Sequence, residues 1–225
     1  MRLPALALSL LCLSLGACSN ASTDAASPSA DATVQNGERS VPAATNYDPA
    51  DTTVDPSHQP DGGVAYFAGG CFWGVEHYME QLDGVKKVES GYMGGKNDDP
   101  TYEQVSYEKT GHLETVRVEF DPAVIPYREV AKRFFEIHDP TQRDGQGPDI
   151  GEQYLSAVFY TGPGQKADTE SLIGELQDRG YQVVTQVRPA KKWFTAEDYH
   201  QDYYTRKGSK PYCHARVKRF DTDAS

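Results

Sequence analysis

The chain has little cysteine and little positive charge. Its 225 residues include 4 Cys, and 22 Lys and Arg stand against 33 Asp and Glu, which gives a formal net charge of −11. Phosphates would repel such a protein, so the charge argues against nucleic acid as a partner. The sequence also lacks a glycine-rich phosphate loop and paired C-x-x-C motifs at metal-ligand spacing. We therefore expect neither a metal nor a cofactor.

The histidines do not change this expectation. None of those in the second part of the chain has a partner of another ligand type at ligand spacing, which favours core or solvated histidines: His77, His112, His138, His200 and His214. The apolar stretch from Leu3 to Leu15 is too short, and too closely followed by polar residues, for a comfortable membrane span.

Residues 1–18 are typical of an export signal. Arg2 gives a short basic start, an apolar core follows, and Leu15-Gly16-Ala17-Cys18 provides a small-residue exit. The tetrapeptide resembles a bacterial lipobox, which implies that Cys18 becomes the acylated first residue of the mature chain. Ser19 after it implies sorting to the outer membrane. The alternative is an ordinary cleaved signal with an incidental cysteine. We expect a lipid-anchored protein of the bacterial cell envelope, at the outer membrane and facing the periplasm.

Residues 19–63 are dominated by Ala, Ser, Thr, Asp and Pro, and Tyr47 is their only aromatic residue. The acidic side chains of this segment are opposed by Arg39 alone: Asp24, Asp31, Glu38, Asp48, Asp51, Asp55 and Asp61. Such a composition buries too little apolar surface to offset the entropy of ordering. It predicts a disordered acidic tether between the anchor and a domain.

Residues 64–225 are enough for one domain with a sizeable core. Apolar periodicity predicts strands over 64–68, 85–92, 114–120, 156–160 and 183–187, and helices over 73–81, 127–138, 165–179 and 196–206. This order favours an α+β fold, namely a ferredoxin-like two-layer sandwich with a mixed β-sheet and helices on one face. We expect a monomer.

The most informative motif is Gly70-Cys71-Phe72-Trp73-Gly74, at the junction of the first strand and the first helix. Flanking glycines let another molecule approach the thiol closely. The unpaired amides and positive partial charge of a helix N-terminus favour thiolate, so a reactive cysteine is predicted. A buried cysteine that packs as a small hydrophobic residue is the alternative.

Further motifs follow in order. They are Gly91-Tyr92-Met93-Gly94-Gly95, Pro100-Thr101-Tyr102, Gly111-His112-Leu113-Glu114, His138-Asp139-Pro140-Thr141 and Gly147-Pro148-Asp149-Ile150-Gly151-Glu152-Gln153-Tyr154. With the cysteine motif, this pattern resembles the peptide-methionine (S)-S-oxide reductases, the A-type methionine sulfoxide reductase family, over Val64 to Phe220. The resemblance implies the same two-layer architecture. It also implies reduction of the S epimer of methionine sulfoxide, free or in oxidised proteins.

The resemblance assigns roles to the site residues. Cys71 is the nucleophile and Glu114 the acid that protonates the sulfoxide oxygen, for which a partly apolar pocket would raise its pKa. Tyr102 and Tyr154 donate hydrogen bonds to the same oxygen, and Asp149 forms a hydrogen bond in the site. Phe72 and Trp73 surround the S-methyl group of the substrate. The alternative for Glu114 is an exposed carboxylate at the end of a strand, and the alternative for the two tyrosines is a role in packing alone.

The implied cycle leaves Cys71 as a sulfenic acid, which a second thiol converts to a disulfide. Cys213 is the remaining candidate, because Cys12 leaves with the signal and Cys18 is acylated. Some relatives carry two cysteines in a glycine-rich tail, so the single Cys213 favours a direct Cys71–Cys213 bond. A thioredoxin-like dithiol then reduces it. A static disulfide between the two is the alternative.

Three functions are compatible with a reactive thiol. The first is a lipid-anchored reductase that repairs oxidised envelope proteins or reduces free methionine sulfoxide. A thiol peroxidase would need neither Glu114 nor the aromatic pair. A binding module would use Phe72 and Trp73 as an apolar anchor beside a structural bridge. The order of motifs favours the reductase.

Overall fold

The computed structural model describes residues 47–220. The predicted signal, the acylation of Cys18 and the first part of the predicted tether lie outside these residues and stay predictions. In the described part of the chain, no helix is long and apolar enough to cross a bilayer.

The framework is a six-stranded sheet in the order β7-β6-β1-β3-β2-β8. Its strands are β1 (Val64–Gly69), β2 (Val85–Met93), β3 (Leu113–Phe120), β6 (Ser156–Tyr160), β7 (Gln186–Pro189) and β8 (Phe194–Thr195). The central strand β1 pairs antiparallel with β3 and β6, while β6 and β7 are parallel. The segments β4 (Gly145–Gln146) and β5 (Asp149–Ile150) form a separate hairpin. The inner order β6-β1-β3-β2 is that of a ferredoxin-like fold, so the predicted fold class is confirmed.

The helices are α1 (Phe72–Met79), α2 (Tyr102–Tyr107), α3 (Tyr127–Ile137), α4 (Pro163–Asp178) and α5 (Tyr203–Lys207). Helices α1, α3 and α4 bury their apolar faces in the main core, whose members include Phe67, Met79, Val116, Phe134, Leu172 and Leu176. Sequence signals fix the ends of these helices. Pro126 precedes α3, Pro163 opens α4, and Gly180 follows α4 with φ of +89°.

Residues 47–63 lie on the domain, which corrects the end of the predicted tether. Tyr47 donates to the Val187 carbonyl at 2.9 Å, and Val54 packs on the apolar cluster at the other sheet face. The Asp61 carboxylate accepts from the amides of Gly164 and Gln165 at 3.1 and 2.9 Å, and so caps α4. Average composition missed this because individual side-chain contacts hold the segment, including those of Asp51 and His58 with Lys191.

The prediction of one long helix over 196–206 is wrong. The range follows β8 and forms a 3₁₀ turn at Asp198–His200 and then α5, with Asp202 between them at φ of +52°. The last major strand lies at β7 rather than over 183–187. Helix α2 was missed, although Thr101 and Gln104 form a capping box at its start. The basic segment from Arg216 to Phe220 is neither helix nor strand.

Candidate active site

Cys71 is the N-cap residue of α1 and follows β1 directly. Its side chain is 8% exposed, so it lies just beneath the surface. Gly70 has φ of +96°, and a Cβ there would collide with Gln146. The left-handed backbone and the close approach of the β4 hairpin therefore both require glycine at this turn.

Glu114 lies beside Cys71 in the interior. It sits on β3 opposite Tyr92 of β2, is 2% exposed, and accepts a hydrogen bond from the Phe72 amide at 3.0 Å. Burial, and then the nearby Cys71 sulfur, raise the pKa of Glu114 well above its usual range, against the opposing effect of the Phe72 amide. A carboxyl group in this position keeps its proton at neutral pH. The alternative of an exposed strand-end carboxylate is excluded.

Tyr102 and Tyr154 face the same point. Tyr102 begins α2, and Tyr154 ends a 3₁₀ turn at Glu152–Tyr154. Burial raises the pKa of both phenols, and the negative charges of Glu114 and Cys71 raise them further. Both tyrosines therefore remain protonated hydrogen-bond donors next to the carboxyl and the thiol.

Asp149 lies in β5, close enough for its charge to act on the Cys71 thiol. Its carboxylate accepts a hydrogen bond from the Tyr212 hydroxyl at 2.9 Å. Tyr212 directly precedes Cys213, so this bond ties the C-terminal tail to the β4 hairpin. The predicted hydrogen-bonding residue thus holds the tail, a contact that the sequence did not reveal.

The two aromatic residues of the cysteine motif differ in burial. Phe72 is 1% exposed, and its ring packs against those of Tyr92 and His200 at centroid distances of 5.9 and 5.0 Å. Trp73 is half-buried, stacks on Tyr203 at 3.7 Å, and donates from Nε1 to His200 Nδ1 at 3.1 Å. Trp73 is thus held in place beside the thiol.

Cys213 reaches the site from the tail. Both cysteines are buried free thiols, so no static disulfide joins them in this structure. The hydrogen bond that the Cys71 S–H donates to the Cys213 sulfur raises the pKa of Cys71, and burial raises it further. The Trp73 amide at the helix N-terminus lowers this pKa, but the hydrogen bond to Cys213 and the burial outweigh it. The expectation of a thiolate at Cys71 is therefore wrong for the reduced pair.

The histidines are core residues, as predicted for most of them. His112, His138, His200 and His214 are at most 4% exposed, and burial lowers the pKa of each. Sequence reasoning missed two supporting residues. His200 supports the aromatic pair, and the Glu197 carboxylate accepts from the Tyr92 hydroxyl and the Tyr102 amide, each at 2.9 Å. Their only signal was an acidic and aromatic run that we interpreted as one helix.

A family comparison covers the whole domain. The sequence profile described as "Peptide methionine sulfoxide reductase" matches residues 63–225. A protein of Sulfolobus acidocaldarius named "Peptide methionine sulfoxide reductase MsrA" is 45% identical over 163 residues, 70% of this chain and 92% of the relative. A protein of the same name from Psychrobacter sp. is 47% identical over 151 residues, 66% of this chain and 86% of the relative.

Solved structures agree with the sequence comparison. The reduced form of Mxr1 from Saccharomyces cerevisiae is similar with a TM-score of 0.65 and 32% identity, over 73% of this chain and 95% of that one. Methionine sulfoxide reductase A of Corynebacterium diphtheriae has a TM-score of 0.59 and 30% identity, over 74% of this chain and 82% of that one. Sequence and fold therefore agree over the region that holds both thiols, and the chain belongs to the peptide methionine sulfoxide reductase family.

Proposed function

We propose that this oxidoreductase reduces the S epimer of methionine sulfoxide with Cys71 as nucleophile and Glu114 as acid. The observation that carries the proposal is the buried Glu114 carboxyl, fixed by the Phe72 amide at 3.0 Å beside the Cys71 sulfur. A sulfoxide sulfur becomes electrophilic when its oxygen receives a proton. A nucleophile and an acid must therefore meet at one sulfur atom.

In the first step, the Cys71 sulfur attacks the sulfoxide sulfur while Glu114 gives its proton to the oxygen. The oxygen ends on Cys71, the thioether leaves as methionine, and the proton lost by Cys71 returns to Glu114. The net change is a thiol plus a sulfoxide to a sulfenic acid plus a thioether. Because the raised pKa of Cys71 depends first on Cys213, movement of the tail makes Cys71 easier to ionise.

The remaining side chains orient the substrate. Tyr102 and Tyr154 are protonated donors for the sulfoxide oxygen, which strengthens the polarisation that Glu114 begins. Trp73 offers an apolar face to the S-methyl group, and Phe72 supports that face from the core. These two apolar side chains also exclude water from the reacting atoms.

Cys213 then resolves the sulfenic acid by forming a disulfide with Cys71, and a thioredoxin-like dithiol reduces the disulfide by exchange. A cleft of about 220 Å³ supports this route, because Cys213, Tyr212 and Gln146 line it from the tail and the β4 hairpin. The cleft gives an external thiolate an approach to the Cys213 sulfur.

The location remains part of the proposal. The export signal at residues 1–18 and the lipobox-like Cys18 support a lipid-anchored monomer at the outer membrane, facing the periplasm. Oxidised proteins of the envelope would then be its substrates, together with free methionine sulfoxide. Mass analysis of the mature N-terminus tests acylation, and an unmodified Cys18 would overturn the anchor.

Turnover of the two separated epimers of a methionine sulfoxide dipeptide tests the activity. We expect reduction of the S epimer alone, and only with dithiothreitol or a thioredoxin system. Hydrogen peroxide serves as the comparison substrate. Preferential turnover of peroxide, or equal turnover of both epimers, would contradict the proposal.

A further inference from the structure

The histidine after Cys213 is hydrogen-bonded on both ring nitrogens. The Cys213 sulfur lies 3.0 Å from His214 Nδ1, and His214 Nε2 lies 2.7 Å from the Gly69 carbonyl oxygen. His214 is 4% exposed, so water does not compete for either contact. The ring therefore links the tail to the last residue of β1, two positions before Cys71.

These partners fix the tautomer. A carbonyl oxygen only accepts, so Nε2 carries the proton that it donates to Gly69. Burial lowers the pKa of His214, which keeps the ring neutral, and the Gly69 carbonyl and the charge of Asp149 act in the opposite direction. In a neutral ring Nδ1 is then an acceptor, and the Cys213 S–H donates to it.

We infer that His214 is the general base that takes the proton of Cys213 when this thiol attacks the Cys71 sulfenic acid. The inference rests on the proposed function, which supplies that sulfenic acid. His214 contacts a reacting sulfur, and Cys71 is hydrogen-bonded to the same sulfur. Of these two partners of Cys213, His214 is the one with a basic nitrogen that can accept its proton.

The step balances as follows. The Cys213 proton moves to His214 Nδ1, and the electron pair left on Cys213 forms the S–S bond. The S–O bond of the sulfenic acid breaks, and its oxygen leaves as water after receiving a proton from the imidazolium. Cys213 is oxidised, the Cys71 sulfur is reduced, and His214 returns to its starting state.

The local packing is built around this ring. A Cβ at Gly74 would collide with His214 Nδ1, so the second glycine of the cysteine motif leaves room for it. The groups that face the ring are Cys213, Asp149 and, from α3, His138. The Tyr78 hydroxyl donates to the His214 carbonyl at 3.4 Å and so holds its backbone.

His214→Gln in the full chain is the decisive variant. The glutamine amide can still donate to Gly69, but it offers no base to Cys213. In a single turnover without reductant, we expect methionine to form at the wild-type rate within about twofold. We expect the Cys71–Cys213 disulfide to form about a hundredfold more slowly, as is typical of a lost general base. Quenching at successive times and peptide mass analysis measure this rate. Raising the pH should recover part of this loss, because hydroxide can then take the proton that His214 no longer accepts.

His138→Gln is the matched control. His138 is equally buried but bonds to the Phe134 carbonyl and the Ser156 hydroxyl, and we expect both steps to stay near the wild-type rate. Disulfide formation at the wild-type rate in His214→Gln, or an equal loss in His138→Gln, would overturn the inference. A missing methionine burst in the wild type would instead overturn the proposed function.

The wild-type protein supplies a second measurement if the glutamine variant does not fold. With an internal base, the rate of disulfide formation should change little between about pH 7 and pH 9. Without one, the rate should rise steadily over this range as hydroxide takes over removal of the proton, and this result would also overturn the inference.

Discussion

The two thiols of this protein sit on opposite kinds of structure. Cys71 joins β1 to α1, and its partner Glu114 lies on β3, which pairs with β1 from Val116 to Glu119 and with β2 at Glu114 itself. Cys213 lies in residues 209–220, which contain neither helix nor strand. A ladder of backbone hydrogen bonds fixes the first pair, whereas separate side-chain contacts hold the second thiol. Attack by Cys71 on the sulfoxide needs a fixed distance to Glu114. Resolution of the sulfenic acid needs a Cys213 sulfur that can move away from Cys71 and back to it.

Separate contacts hold the tail, among them the Arg216 ion pair with the buried Glu136 carboxylate. Tyr212 bonds to Asp149, the Val217 amide donates to the Glu136 carbonyl at 2.7 Å, and the Arg219 guanidinium donates to the Phe135 carbonyl at 2.9 Å. Since the tail takes part in no strand pairing, it can separate from the domain without opening the sheet.

The sharpest test of this comparison replaces each thiol. Cys71→Ser should lower turnover below detection even at high dithiothreitol, because no other side chain near Glu114 supplies a thiolate. Cys213→Ser should still release one equivalent of methionine and leave a trappable sulfenic acid. Quantifying methionine per protein with and without thioredoxin measures both effects. Continued turnover in Cys71→Ser, or normal thioredoxin-driven turnover in Cys213→Ser, would break the comparison.

Loss of the Glu114 carboxyl should have the next largest effect on the rate of methionine release. Glu114→Gln keeps the size of the side chain but has no proton to give, so methionine release should slow by about 10²- to 10⁴-fold. Substrate binding should change little. Glu76→Gln is the matched control, because Glu76 is also a buried carboxyl, on α1, with its pKa raised by burial to about 8. A burst in Glu114→Gln as fast as in the wild type would place the acid elsewhere.

A glycine substitution tests whether the tail can be disturbed alone. Gly74→Ala favours helix α1 by about 1 kcal/mol, but its Cβ would collide with His214. We expect the tail to be displaced and disulfide formation to slow about tenfold, while methionine release is retained. Gly174→Ala on α4 meets no atom within 4 Å, so it should raise the free energy of unfolding without changing either step. Equal effects of the two substitutions on disulfide formation would contradict this separation.

The smallest effect concerns stability where α1 meets the turn before α5. Burial, and then the hydrogen bond to Asp202, raise the pKa of Glu80 to about 7, and Glu80 lies close to the buried Glu76. Raised carboxyl pKa values stabilise the fold below about pH 4.5, and this stabilisation is lost as the pH rises to about 8.

Glu80→Gln should therefore make the protein about 1 kcal/mol more stable at pH 8 and flatten the fall in unfolding free energy between pH 5 and 8. Urea unfolding at several pH values measures this. An unchanged slope would show that the pKa of Glu80 is not raised in the folded protein, and single-turnover rates should stay at the wild-type level throughout.

The sequence predicted the regular scaffold well and its irregular surroundings poorly. Apolar periodicity predicts strands β1, β2, β3 and β6 and helices α1, α3 and α4. An element that buries one face carries apolar residues at every second position in a strand and about once per turn in a helix. The stretch from Phe194 to Lys207 misled because its apolar residues serve a strand, a 3₁₀ turn and a short helix in succession. Residues 47–63 misled because single contacts, such as the Asp61 cap of α4, do not alter composition.

The sequence by itself determined the chemistry available to this protein: one thiol at a strand-to-helix turn, one carboxyl on a strand, one thiol in a tail, and the family pattern that joins them. Only the tertiary structure decided their protonation. Burial beside Cys213 keeps the proton on Cys71, and burial beside Cys71 keeps it on Glu114. The orientation of the His214 ring toward Cys213 also depends on Gly69, 145 positions away. Proton affinity depends on which groups lie within a few ångströms, and residue order alone does not fix those distances.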